Sequence, residues 1–294
     1  MIIDAKSNRK VLTILLTCIN LKQVIKMKFS VVMSVYIREN PESFSKCLSS
    51  ILSQTALPDE LIIIKDGPLN AELEQVLSKL NCPVDLQIIA LPENITQGPA
   101  RGKGLLAARN EWVAIMDSDD ICRPDRFEKQ IEMIAKKPAL GLIGGQISEF
   151  RDAPEHVVAM RDVPLEHGAI VEFAKGRNPF NSMTVILRRD IALKAGNYKY
   201  FPMFEDYDLW VRMIKEGAIC ANHSDVLVDA RVGSGMYERR RGISYVRAEI
   251  KMQRQLLELG FIGRGRFIKN IIIRVPIRLL PGKLVAKMYN VFVR

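Results

Sequence analysis

The chain has 294 residues, 48% of them apolar, and a formal net charge of +10. That length fits one large domain, or one domain with an appendage, around an ample core. No stretch reaches the roughly 20 apolar residues of a membrane-spanning helix, and the five scattered cysteines and three unclustered histidines argue for a reducing cytosol and against a zinc site.

Residues 1–26 have a basic start and an apolar middle around Val11 to Leu16, but no small-residue cleavage site. Met27 leads straight into the first strand pattern. Residues 1–26 are therefore expected to be an extension upstream of the natural start. Phe29 to Tyr36 is rich in strand formers and reads as a central strand. Asn40-Pro41-Glu42 starts a helix, with Phe44, Cys47, Leu48, Ile51 and Leu52 on its apolar face. Leu61 to Ile64 is a continuous apolar run, as in a parallel strand buried on both faces. It ends in the turn Lys65-Asp66-Gly67-Pro68, and a helix with Leu73, Val76, Leu77 and Leu80 follows. Val84 to Ile89 is the third strand.

The order βαβαβ implies a parallel sheet with right-handed crossovers. Gly98 to Asn110 opens with glycines and continues as a helix. Trp112 to Met116 is a short buried strand, Pro124-Asp125-Arg126 starts another helix, and Leu140 to Gly145 is a further strand. Arg151 to Asn178 is polar and weakly patterned, and reads as a substrate-facing excursion. Ser182 to Leu187 is expected to be a strand, Phe204 to about Glu216 a helix, Val226 to Val228 a last strand, and Ile243 to Leu259 a mixed-charge helix.

The densest chemistry lies at Met116-Asp117-Ser118-Asp119-Asp120, at a strand end. Crowded carboxylates repel, and burying them is costly unless they are paired or metal-bound. Hard oxygen ligands at this density fit Mg²⁺ or Mn²⁺, which also bind diphosphate oxygens. In an open α/β sheet, ligands sit beyond the carboxyl ends of the strands. The same residues also fit an acidic turn whose aspartate caps the next helix.

Other motifs have two readings each. Gly98-Pro99-Ala100-Arg101-Gly102-Lys103-Gly104 is one residue short of a phosphate loop and lacks the Ser/Thr after lysine, which excludes that motif. It is either a glycine-rich helix start or a nucleotide-contacting loop. Asp66 serves turn chemistry or accepts hydrogen bonds from a nucleobase or ribose. Glu205-Asp206 favours a helix N-terminus electrostatically, or supplies a general base beside an apolar wall. Asp208 should face away from Asp206. Arg239-Arg240-Arg241-Gly242 is a solvated basic loop or a clamp for a diphosphate.

Taken together and in order, these motifs resemble the family 2 glycosyltransferases, inverting enzymes with the GT-A fold. The likeness runs over roughly residues 28 to 235. The run Val228 to Met236 with Arg239 to Gly242 is similar to the amylovoran, exopolysaccharide and O-antigen branch. The resemblance implies an α/β fold: a mixed, mainly parallel central sheet flanked by helices. It implies a catalytic domain over 27–235 and a helical, basic C-terminal segment over 236–294. By resemblance, Tyr36 and Asp66 hold the nucleotide of a nucleotide-sugar donor, UDP-linked. Asp117 and Asp119 form an Asp-x-Asp element, with Asp119 the main ligand of Mn²⁺ or Mg²⁺ and Asp117 shared between metal and donor. Asp206 is the catalytic base, and Arg239, Arg240 and Arg241 close over the diphosphate. Many members carry a metal-binding histidine near the position of Gly233, and His223 is a poor substitute for it.

The tail is the basic part of the chain. Phe261 to Arg294 holds eight Lys/Arg and no acid, leaving +2 for the rest. Phe267, Ile268, Ile271, Ile272, Val275 and Leu279 recur at helical spacing, with Arg266, Lys269, Arg274 and Arg278 interleaved. Pro276 and Pro281 should break any single helix. The pattern fits the cytoplasmic face of the inner membrane, where each base adds about 1 kcal/mol near anionic lipid, and a lipid-linked saccharide acceptor. The alternative, given less weight, is a helix packed on the catalytic body with a solvated basic face. A sugar-phosphate nucleotidyltransferase is disfavoured because Tyr36 to Asn40 has no glycine. Nucleic-acid binding is disfavoured by the near-neutral body and 7% aromatic content. A non-catalytic nucleotide-sugar-binding scaffold is the alternative to an enzyme, opposed by the intact Asp117, Asp119 and Asp206.

Overall fold

The computed structural model describes residues 27–233 and 241–279. Residues 1–26, Arg239, Arg240 and Pro281 lie outside that set.

Four parallel strands form the first half of the sheet: β1 (Phe29–Val35), β2 (Glu60–Lys65), β3 (Asp85–Ala90) and β4 (Trp112–Met116). Helices α1 (Pro41–Leu52), α2 (Ala71–Ser78) and α3 (Gln97–Ala107) connect them. Local chemistry starts the first two helices. The side chain of Asn40 accepts from the Ser43 amide at 2.9 Å with Pro41 in the first turn, and Asn70 does the same for the Leu73 amide at 2.9 Å. Phe44, Cys47, Leu48 and Ile51 of α1 are fully buried against one face of the sheet. Leu105 and Ala108 pack on the opposite face with Val32, Ile62 and Ile64. Burying each such side chain contributes about 1.5–3 kcal/mol, which is why β1, β2 and β4 are apolar on both faces.

The sheet order is β3-β2-β1-β4-β8-β6-β9-β5, with β7 also on β6. The remaining strands are β5 (Ile121–Cys122), β6 (Leu140–Phe150), β7 (Val157–Arg161), β8 (Ile186–Arg188) and β9 (Ile219–Arg231). β8 runs antiparallel to β4 and β6, β9 parallel to β6, and β5 antiparallel to β9. The first connections build outward from β1 to β2 and β3, and α3 then carries the chain to β4 on the other side of β1. A crevice opens at such a reversal, beyond the carboxyl ends of the strands.

Helix α4 (Arg126–Lys136) follows β5 as expected. Several expectations need correction. The polar stretch 151–178 contains β7 and a helix, α5 (His167–Ala174). The expected strand Ser182 to Leu187 splits into a 3₁₀ turn, Ser182–Thr184, and β8. Side-chain bonding to backbone explains the turn: Thr184 Oγ1 donates to the Asn181 carbonyl at 2.7 Å and accepts from the Gly145 amide at 2.9 Å. A further helix, α6 (Arg189–Lys194), precedes α7 (Glu205–Lys215). β9 spans 13 residues where three were expected, because the long strand β6 pairs with it across several register shifts.

The C-terminal part packs on the body. Helices α8 (Gly242–Glu258) and α9 (Arg264–Leu279) join α7 in one apolar cluster, through Tyr207 and Val211 of α7, Tyr245, Met252 and Leu256 of α8, Ile262 just before α9, and Phe267 on it. Pro276 does not break α9. It removes one late bond, to the carbonyl of the exposed residue Ile272, where water can replace it. The arginines expected on a leaflet-facing surface turn inward instead. Arg274 Nε lies 2.5 Å from the fully buried carboxylate of Glu249, Arg278 is 3.6 Å from it, and Arg266 pairs with Glu172 at 3.2 Å.

Candidate active site

Three parallel strands end side by side, so their following loops share one cavity of about 540 Å³. Tyr36, Arg38 and Glu39 come from the end of β1, Asp66 from β2, and Asp117, Ser118 and Asp119 from β4. Asn94, Thr96 and Gln97, at the start of α3, complete the wall. The fold thus gathers Tyr36, Asp66, Asp117 and Asp119, which lie up to 83 positions apart in sequence. A cavity of this size fits a nucleotide-sized ligand.

Each carboxylate has a distinct environment. Asp66 is buried, and burial raises its pKa above the ordinary carboxylate value against the opposing pull of the backbone amides it faces. It accepts from the Ile95 amide at 2.7 Å and from Asn94 Nδ2 at 2.9 Å. Its turn requires Gly67: φ is +86°, and a Cβ there would lie 2.9 Å from the Asn94 nitrogen. Thr96, opposite, is β-branched yet has φ +73°, a strained conformation at the rim of the cavity.

The acidic turn divides into outward and inward groups. Asp120 is buried and accepts from the Arg231 amide at 2.7 Å, and burial followed by the charge of Asp119 pushes its pKa well up. It therefore anchors the turn to β9. Arg231 Nε also reaches the Asp119 carbonyl at 3.3 Å while its guanidinium stacks over Phe150. Ser118 donates to Glu39. Asp117 and Asp119 are left on the cavity side.

Asp206 joins the site through a residue that the sequence reading did not single out. Arg101, 1% exposed, projects from α3 between two carboxylates. Its Nη1 donates to Asp206 at 3.0 and 3.2 Å, and its Nη2 donates to Asp117. Gln97 Nε2 adds a 3.2 Å bond to Asp117. The glycines of α3 make this possible by close packing rather than by cradling phosphate. A Cβ on Gly98 would meet the Glu205 side chain at 2.8 Å, and one on Gly104 would meet Val32 at 2.4 Å.

Glu205, beside Asp206, is pushed up to about 7, first by burial and then by the charge of Asp206. Asp208 points elsewhere, as expected. It pairs with Arg212 at 2.7 and 2.9 Å, and Arg212 in turn holds the carbonyls of Ala195 and Asn197. One signal for Arg101 was available. It shares a helix face with Gly104, Leu105 and Ala108, and a charge on a buried apolar face needs a partner.

Other expected residues do not line the cavity or lie outside the described set. Arg241 is exposed, directly before α8. His223 precedes Arg231 by eight residues on the same strand, roughly 25 Å away at strand spacing. Asn181, just after the polar stretch 151–178, is buried and donates to the carbonyls of Gly145 and Arg161.

Among the described residues no cluster of three or more His, Cys, Asp or Glu forms a protein-only metal cage. Asp117 and Asp119 nevertheless fit a Mg²⁺-type ion, which takes one or two carboxylates and fills its remaining positions with water and substrate phosphates. Oδ1 of Asp117 is engaged by Arg101 and Gln97, and neither of those bonds uses its Oδ2.

The sequence model of "Glycosyl transferase family 2" matches residues 30–194. The chain is 37% identical to the amylovoran biosynthesis glycosyltransferase AmsE of Erwinia amylovora, over 89% of this chain and 98% of that protein. It is 33% identical to the UDP-Gal:alpha-D-GlcNAc-diphosphoundecaprenol beta-1,3-galactosyltransferase of Escherichia coli, over 91% of this chain and 97% of that protein. Among solved structures, it is similar to the mannosyltransferase PcManGT of Pyrobaculum calidifontis in complex with GDP-Man and Mn²⁺. There the TM-score is 0.62 at 14% identity, covering 90% of this chain and 75% of that one.

Proposed function

The chain belongs to glycosyl transferase family 2, and from that premise we propose that it is an inverting, metal-dependent hexosyltransferase. It moves a sugar from a UDP-linked donor to a hydroxyl of a lipid-linked saccharide during assembly of a surface polysaccharide. A relative named for amylovoran biosynthesis and one named for a diphosphoundecaprenol-linked sugar support the acceptor class, and the second names a UDP donor. The observation that carries the reading is the single buried guanidinium of Arg101, which joins Asp206 to Asp117 at the wall of the cavity.

In this reading Tyr36 and Asp66 hold the nucleotide. Asp66 accepts from the Ile95 amide on Oδ1 and from Asn94 Nδ2 on Oδ2, and a carboxylate offers about four lone-pair sites, so acceptor capacity remains for a donor group. Asp117 and Asp119 hold the divalent ion, which when bound offsets charge on the diphosphate. Arg38 on the cavity wall, with Arg239, Arg240 and Arg241 from the segment before α8, adds positive charge toward the leaving group. The acceptor oxygen attacks the anomeric carbon while Asp206 takes its proton. The bond from that carbon to the diphosphate oxygen breaks on the opposite side, the nucleoside diphosphate departs with the electron pair, and configuration inverts. Arg101 fixes the rotamer of Asp206 through two hydrogen bonds. The C-terminal segment, 236–294, attaches the enzyme to the cytoplasmic face of the inner membrane. Among the described residues no helix is long and apolar enough to cross a membrane.

The test is donor hydrolysis and transfer with UDP-sugars first, then GDP- and dTDP-sugars, in Mn²⁺, Mg²⁺ or EDTA. One nucleotide should support turnover that EDTA abolishes. Asp206→Asn should abolish transfer while leaving nucleotide binding intact. Near-normal turnover by that variant would remove Asp206 from the mechanism, and turnover indifferent to EDTA would remove the metal.

A further inference from the structure

Helix α9 carries apolar side chains outward as well as inward, where Ile277 is buried and Phe267 packs on the apolar cluster. Three of its arginines are engaged with the protein: Arg274 and Arg278 meet Glu249, Arg266 meets Glu172, and the buried amide of Asn270 bonds to the side chain of Gln253 and the carbonyl of Lys175. The opposite face is apolar. Ile268, Ile272 and Leu279 are 55%, 66% and 60% exposed, and their spacing of four and seven places them in one row. Ile273 and Pro276 widen that row. The helix is about 24 Å long, so the row runs nearly its whole length. A surface helix facing only water would carry polar side chains along that outer row.

We propose that this face of α9 is the membrane-docking surface, lying in the interface of an anionic bilayer with Ile268, Ile272 and Leu279 inserted. The exposed Arg264 and Lys269 flank the row and supply charge complementarity toward lipid phosphates. After Leu279 the sequence has Lys283, Lys287 and Arg294, no acid, and further apolar residues, a composition of the same basic and apolar kind. A second copy is a weaker occupant. The exposed row offers on the order of 400 Å² of apolar surface, about half of what each partner of a stable dimer buries. Pairing two copies across this row would also bring Arg264 and Lys269 of both together.

This deepens the membrane part of the proposed function and rests on it, but it changes what drives attachment. Apolar insertion leads, because three of the four arginines of α9 are engaged with Glu249 and Glu172. The test is flotation of the full chain with phosphatidylcholine vesicles, with and without a phosphatidylglycerol fraction of about one third. The wild type should float with the anionic vesicles. Ile268→Ser combined with Ile272→Ser and Leu279→Ser should lower partitioning at least about tenfold with an unchanged thermal melt, since all three side chains are exposed.

A second variant reports insertion directly. Both native tryptophans, Trp112 and Trp210, are buried, so in Ile272→Trp the new indole alone should shift to the blue when anionic vesicles are added. Equal flotation of wild type and the serine variant overturns the proposal, as does an Ile272→Trp emission that vesicles leave unmoved. A dimer by light scattering that the serine variant dissociates assigns the face to a second copy instead. None of these readouts uses a donor or an acceptor. A failed transfer assay therefore leaves the docking result standing, and a failed docking result leaves the transferase reading untouched.

Discussion

Arg101 gives the sharpest prediction. Arg101→Met keeps the length and the apolar stem but deletes the charge between Asp206 and Asp117. Those two side chains are 16% and 22% exposed, so each keeps some water but loses its principal counterion. Removing one partner of a fully buried ion pair costs about 3–5 kcal/mol. Partial exposure of the carboxylates reduces this to about 2–4 kcal/mol. At about 2–4 °C per kcal/mol for a domain of this size, the melting temperature should fall by about 5–15 °C.

Turnover should fall further than stability implies, by about 10²–10³ in kcat, because Asp206 loses the Nη1 donor that orients it. Arg101→Lys separates the two effects. An ammonium restores the charge but is a point donor, which cannot hold both carboxylates in the same geometry. Lysine should therefore regain most of the melting temperature and little of the turnover. The assays are a thermal melt and steady-state transfer from a UDP-sugar, measured on the same preparations. A lysine variant with wild-type kcat, or a methionine variant within tenfold of it, would refute the role assigned to the bridge.

Two further predictions concern the groups around it. Glu205 titrates at about 7 in the fold against 4.5 for an ordinary glutamate, so between those pH values the native state binds a proton that the unfolded chain has lost. Its stabilising contribution is complete below about 4.5 and is lost as pH rises through 7. Glu205→Gln removes that loss, and its stability relative to wild type should rise between pH 5 and pH 8 by on the order of 2–3 kcal/mol in denaturant melts; a constant offset would count against a buried, protonated Glu205. Gly104→Ala places a methyl 2.4 Å from Val32. It should destabilise by about 1–3 kcal/mol and lower turnover as α3 lifts Arg101 from its partners, and a neutral melt would show that α3 adapts freely.

Much of the first half of the fold is legible in the chain because its signals are local. Asn40-Pro41 and Asn70 cap helices whatever lies around them, and strands buried on both faces announce themselves as Val31-Val32 or Leu61 to Ile64. The cavity follows from topology once β1 lies between β2 and β4, which is why Tyr36, Asp66, Asp117 and Asp119 could be placed at one edge of the sheet before any coordinates. The second half is harder to read. The length of β9 depends on its partner β6, and the 3₁₀ turn at Ser182–Thr184 depends on Thr184 finding the Gly145 amide. Neither partner is near in sequence.

The sequence by itself determined the acidic turn at the end of β4, the helix that presents Glu205-Asp206, and the basic excess after Phe261. It did so because strand and helix periods, caps and charge are properties of neighbouring residues. Only the tertiary structure decided how those charges are used. Arg101 and Asp206 are separated by 105 positions, and their bond exists because Gly98 and Gly104 let α3 approach α7 and β1 closely. Whether Arg274 faces lipid or protein was likewise fixed by Glu249, buried on the helix before it. Burying a charge costs free energy unless a specific partner is present, and that partner is set by the packing of distant segments.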